Sequence, residues 1–131
     1  MDIEVFFEDG TRVNARMGKH LVKTDQKERG GGEDSAPAPF DYFLISLATC
    51  AGIYVKLFCD RRGIDSSGIN IHQRHRNDPE TRKLIGIDIE VTLPDNFPER
   101  YREAVLKAAD QCAVKRLLKD PPEIEVIAVS N

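Results

Sequence analysis

The chain has 131 residues, 40% of them apolar and 31% charged, with no tryptophan and a net charge of −3. This is the balance of a globular protein rather than a disordered or membrane-embedded one, and it supplies no general attraction to nucleic acid. The length suits a single domain over residues 1–131 that buries one continuous core.

At the N-terminus, Asp2, Glu4, Glu8 and Asp9 stand where a secretory signal would carry lysine or arginine, so a cytoplasmic location is expected. Residues 2–8 alternate apolar and polar side chains and Glu8-Asp9-Gly10-Thr11 supplies a turn, which predicts a hairpin running to about Ala15. A third short strand is predicted over His20 to Thr24. Gly30-Gly31-Gly32 through Pro37-Ala38-Pro39 is too rich in glycine and proline for regular structure and reads as a flexible loop. Pro39 suits a first helical turn and Gly63 suits a stop, so a helix is predicted from Pro39 to Arg62.

That helix is about 36 Å long. Its apolar residues leave no polar stripe, so it needs cover nearly all round, more than the few strands of one small chain supply. A second copy is the simplest source of the missing surface, which predicts an intimate homodimer. Its uncharged run, Tyr42 to Val55, falls short of the roughly 20 residues of a membrane span. The helix is therefore expected to be buried in protein, not lipid.

Ser67 to Arg76 and Thr81 to Leu93 read as two strands joined at Asn77-Asp78-Pro79-Glu80. Glu99 to Ala109 reads as a helix, Cys112 begins a further short one through Leu118, and Pro121-Pro122 ends it. Glu123 to Val129 alternates as a final strand. Strands, a long helix, strands, helices and a strand define an α+β domain.

Three cysteines, Cys50, Cys59 and Cys112, cannot all pair within one chain. Cys50 and Cys59 are nine positions apart on one helix, which separates them by roughly 13.5 Å along its axis and excludes a disulfide. Cys59 is read as a core residue. Cys50 with Cys112 puts one thiol on the long helix and the other on a separate element. Cys50 is either inert filler or the reactive group, since its apolar neighbours raise a thiol pKa and the start of its own helix is ten residues away. Reactivity therefore needs a nearby cation, for which Arg29, Arg12 and Arg16 are candidates, held by a carboxylate such as Asp41 or Glu33.

Other constellations are weaker. His72 and His75 fall on opposite faces of a strand and do not share a metal readily. Arg74, His75 and Arg76 with Arg61 and Arg62 carry no accompanying nucleic-acid signature and read as a solvated face. Gly30-Gly31-Gly32 matches no phosphate-binding pattern.

Taken together, the residues resemble the OsmC/Ohr family of thiol-dependent hydroperoxide-resistance proteins. The resemblance rests on the approach Gly31-Gly32-Glu33-Asp34-Ser35-Ala36-Pro37-Ala38-Pro39-Phe40-Asp41, on Leu47-Ala48-Thr49-Cys50, and on Ala109-Asp110-Gln111-Cys112-Ala113-Val114-Lys115-Arg116. It implies N-terminal strands, a long central buried helix and a second strand-helix half, assembled as an intertwined homodimer. It further implies a peroxidase acting on organic hydroperoxides, with Cys50 peroxidatic and Cys112 resolving. No metal or organic cofactor is implied, and an external dithiol would be the reductant. Arg29 is the matching arginine by its distance from Pro39, and Asp41 the acid that would position it. Phe40 occupies the place directly after the proline where the family's acid usually stands, and Ala113 replaces a proline common after the resolving cysteine. The alternative is a non-catalytic dimer of the same fold that binds a small apolar ligand or partner in its interface cleft.

Overall fold

In a computed structural model that describes residues 1–130, the chain forms two compact units, residues 1–45 and residues 46 onward. The first opens with three antiparallel strands in the order β1 (Glu4–Phe7), β2 (Val13–Met17), β3 (His20–Val22). Alternating side chains make these segments strands, and two glycines make the turns: Gly10 and Gly18 hold φ of +65° and +57°, where a Cβ would be strained. The hairpin register pairs Val5 with Ala15 and Phe7 with Val13.

The glycine-rich stretch after β3 is a built loop rather than a flexible one, and a buried carboxylate organises it. Asp25, 1% exposed, accepts hydrogen bonds from Thr11 Oγ1 at 2.6 Å, Ser35 Oγ at 2.7 Å, and the amides of Gln26, Glu33 and Ser35. A single 3₁₀ turn, Glu28–Gly30, sits inside this loop. Gly32 passes so close to the Gln26 carbonyl that a Cβ would lie 2.0 Å from its oxygen, so no other residue fits.

Helix α1 (Pro39–Arg61) starts and stops where its chemistry dictates. At its start, Asp41 donates its amide to the Ala38 carbonyl while its carboxylate accepts from the Ala38 amide at 3.1 Å, a reciprocal cap of an otherwise orphaned donor. At its end, Gly63 adopts φ +66° and the Ile64 amide reaches back to the Cys59 carbonyl at 2.9 Å.

The second unit holds most of α1, the antiparallel pair β4 (Asn70–Asn77) and β5 (Leu84–Thr92), α2 (Arg102–Ala109) and α3 (Ala113–Lys119). Its core joins Ala51, Val55, Phe58 and Cys59 of α1 to Phe97, and to Val105 and Ala109 of α2, with Ile71, Ile89 and Val91 of the sheet packed against them. The opposite sheet face is polar: Arg74 pairs with Glu90 at 3.1 Å and Arg76 with Asp88 at 2.8 Å. Those cross-strand partners neutralise the arginines and agree with a solvated face.

Two sequence expectations meet a specific outcome. Helix α1 has the length and mean hydropathy of a membrane span, yet Leu47, Ala51, Val55, Phe58 and Cys59 form its buried face within the unit. Ile53 and Leu57 remain exposed on its other side, so one chain leaves apolar helix surface uncovered. The expected last strand does not form: among the described residues, 123–129 join no sheet, and Ile124, Val126, Ile127 and Val129 are all exposed. Alternation gives a segment two faces, but a strand exists only where an edge pairs with it.

Candidate active site

The site is built by two helix positions of the second unit. Cys50 lies midway along α1 and is half-buried. Cys112 stands at the cap position immediately before α3, where its carbonyl accepts the Arg116 amide at 3.0 Å, and it is 1% exposed. The Cys112 thiol also points at the α1 backbone, donating to the Leu47 carbonyl at 3.9 Å. Both thiols are free.

The first-turn amides of a helix have no acceptor within it. Here those of α3 lie against Cys50. Burial is the largest single influence on the Cys50 thiol and pushes its pKa up. The Val114 amide, the Cys112 thiol, the Ala113 amide and the Arg116 guanidinium together outweigh it, leaving the pKa below the ordinary thiol value. Cys112 is shifted the other way: burial raises it, the amides of Lys115 and Val114 compensate only in part, and the adjacent Cys50 raises it further. One thiol of the pair is thus poised to lose its proton and its neighbour to keep one. Cys59 is fully buried in the core, and burial, with the nearby Asp60, raises its pKa.

A cation that acts on Cys50 is Arg116, one helical turn beyond Cys112, which the sequence reading had not singled out. Its Nη2 donates to the Tyr54 hydroxyl at 3.3 Å, and Tyr54 lies one turn beyond Cys50 on α1. Sequence reasoning missed both, although each stands four residues after a cysteine in a helical segment, the spacing that puts two side chains on one face. The remaining candidates belong to the first unit. Arg29 is exposed on the 3₁₀ turn. The Asp41 carboxylate serves the helix cap and pairs with Lys27 at 3.5 Å. Arg12 pairs with Glu33 at 2.5 Å, and Arg16 lies over the Phe6 ring.

Behind Cys112 a cavity of about 550 Å³ opens between α1, β5 and α2, with Leu47, Ile87, Ile89, Val91 and Leu106 among its walls. Lys107 and Lys115 line it as well, the latter paired with Asp110. Among the described residues there is no cluster of three metal-ligating side chains.

A small α+β protein whose long central helix presents one thiol to a second thiol at the start of a short helix is the class defined here. The OsmC-like protein family matches residues 31–127, and the chain belongs to that family. No curated protein is significantly similar to it in sequence. Among solved structures, an OsmC-like protein from Mycoplasma pneumoniae shares the fold with a TM-score of 0.69 at 13% identity, over 92% of this chain and 87% of that one. A hypothetical protein from Aquifex aeolicus aligns with a TM-score of 0.67 at 16% identity, over 92% and 87%. An organic hydroperoxide resistance protein OsmC from Legionella pneumophila aligns with a TM-score of 0.55 at 16% identity, over 90% and 88%.

Proposed function

We propose that the protein is a cysteine-based peroxidase that reduces organic hydroperoxides. The observation that carries this is the meeting of two free thiols at one site, Cys50 on α1 and Cys112 at the start of α3 with its thiol against the α1 backbone, and the opposed directions of their pKa shifts agree with it. The hydroperoxide resistance named for the Legionella relative supports the choice of substrate.

In the first step the Cys50 thiolate attacks the distal peroxide oxygen. An S–O bond forms, the O–O bond breaks, and the alkoxide leaves as an alcohol after taking a proton; sulfur is oxidised to the sulfenic acid. Arg116 and the amides of Ala113 and Val114 are placed to stabilise the starting thiolate. In the second step the Cys112 sulfur displaces hydroxide from the sulfenic acid, the Cys112 proton leaves with it as water, and a Cys50–Cys112 disulfide forms. An external dithiol then reduces that disulfide and is itself oxidised. The chemistry requires no metal or organic cofactor. Arg29 with Asp41 remains the family-derived proposal for a further cation.

The same reading includes a homodimer in the cytoplasm. Exposed Ile53 and Leu57 on α1 and the unpaired apolar residues 124–129 support the dimer, and three cysteines, which cannot all pair within one chain, suit a reducing compartment. The apolar cavity behind Cys112 favours a second reading, a non-catalytic binder of a small apolar ligand.

The deciding experiment is organic-hydroperoxide consumption with dithiothreitol as reductant. The wild type is expected to turn over through a Cys50–Cys112 disulfide, Cys50→Ser to be inactive, and Cys112→Ser to oxidise Cys50 without forming that disulfide, so that only direct attack of dithiothreitol on the sulfenic acid restores it. Equal consumption by wild type and Cys50→Ser overturns the peroxidase and leaves the binder.

A further inference from the structure

We propose that Tyr54 is a positioning residue whose hydroxyl holds the Arg116 guanidinium within electrostatic reach of Cys50; the consequence for turnover, though not the tether itself, rests on the peroxidase reading. Arg116 is exposed, and a long exposed arginine samples many rotamers, so its average field at a sulfur is weak unless something fixes it. The fixing contact is the bond from Arg116 Nη2 to Tyr54 Oη at 3.3 Å. Its geometry follows from the helices: Tyr54 is four residues after Cys50 on α1 and Arg116 four after Cys112, so each shares a face with its cysteine. The two pairs meet where α3 begins against α1.

The chemistry of the acceptor matters as much as its position. Other cations of the chain are held by carboxylates, as Arg74 by Glu90, Arg76 by Asp88 and Lys56 by Asp60. Among the described residues no carboxylate forms a salt bridge with Arg116. A carboxylate there would cancel the positive charge and add a negative one near the sulfur, raising the thiol pKa. A phenol oxygen fixes the guanidinium while leaving its charge uncompensated. Tyrosine thus provides what phenylalanine cannot and what aspartate or glutamate would undo.

The test is the pH profile of Cys50 alkylation by iodoacetamide, followed by peptide mass spectrometry, in wild type, Tyr54→Phe, Arg116→Met and the double variant. Phenylalanine keeps the ring packing and removes only the acceptor. Tyr54→Phe is expected to move the midpoint to higher pH and, below it, to slow alkylation roughly two- to five-fold, the scale of one modest hydrogen bond. Arg116→Met is expected to slow it at least as much, and the double variant to match Arg116→Met, because the tyrosine acts through the arginine. A Tyr54→Phe profile equal to wild type overturns the tether, and so does an undiminished Tyr54→Phe effect in the Arg116→Met background. Alkylation needs no peroxide, so a wild type that fails to consume hydroperoxide would overturn the peroxidase reading while the titration still judged Tyr54.

Discussion

Asp25 in the first unit and Cys50 in the second are two places where the fold favours an anion, and they do so to different ends. Around Asp25, two hydroxyls and three amides converge on one carboxylate, and Thr11 and Ser35 hold its pKa far below the usual carboxylate range. Around Cys50 the donors work against burial, and the one charged group among them, Arg116, stands on an exposed side chain. A saturated donor shell makes a permanent charge that holds a loop together. A shell in which burial opposes the donors leaves a thiol whose pKa lies below its ordinary value without a full set of hydrogen-bond donors.

The largest test of that contrast is to delete each anion. Cys50→Ser should abolish hydroperoxide reduction with little change in melting temperature, whereas Asp25→Asn should lower the melting temperature by roughly 5–10 °C, because buried donors lose their acceptor. The acid response follows from the sign of the Asp25 shift. Its native pKa is depressed, so the unfolded chain binds the extra proton as pH falls through the ordinary carboxyl range, and the stability that Asp25 contributes declines there. Denaturant titrations between about pH 5 and 3 should show a shallower loss in Asp25→Asn than in wild type; equal slopes would remove Asp25 as the source.

Next in size is the difference among the thiols. In the native protein near pH 7, iodoacetamide should modify Cys50 on the order of 100-fold faster than Cys59, which has neither access nor a depressed pKa. Comparable rates would dissolve the distinction between reactive and core cysteine. Arg116→Met should then slow Cys50 alkylation roughly three- to ten-fold at neutral pH, with the wild type approaching that rate in about 1 M salt, since an exposed cation is screened. Smallest is Gly63→Ala at the end of α1, where a Cβ at positive φ costs about 1 kcal/mol and should lower the melting temperature by roughly 3–4 °C while leaving the Cys50 profile unchanged. A shifted profile would mean that the helix end reaches the site.

Much of the fold was legible because it is local. The alternation in β1, the glycine turns, the apolar length of α1 and the caps at Pro39 and Gly63 are each written within one element, and the α+β order follows from reading them in sequence. The C-terminal alternation at 123–129 was equally legible and yielded no strand, because pairing depends on an edge elsewhere. The loop before α1 read as flexible because glycine and proline dominate it. Its anchor is one aspartate whose donors come from 14 residues before and ten after.

By itself the sequence determined that Cys50 lies in an apolar helix, that Cys59 cannot pair with it, and that a burial-raised thiol needs an electropositive neighbour to react. Only the tertiary structure brought Arg116 and the amides of Ala113 and Val114 to that thiol. Arg116 and Tyr54 are 62 residues apart in the chain, and the amides that face Cys50 belong to a helix whose own periodicity says nothing of what its first turn meets. Periodicity fixes the faces of an element, whereas the charge a sulfur feels depends on which faces are packed together.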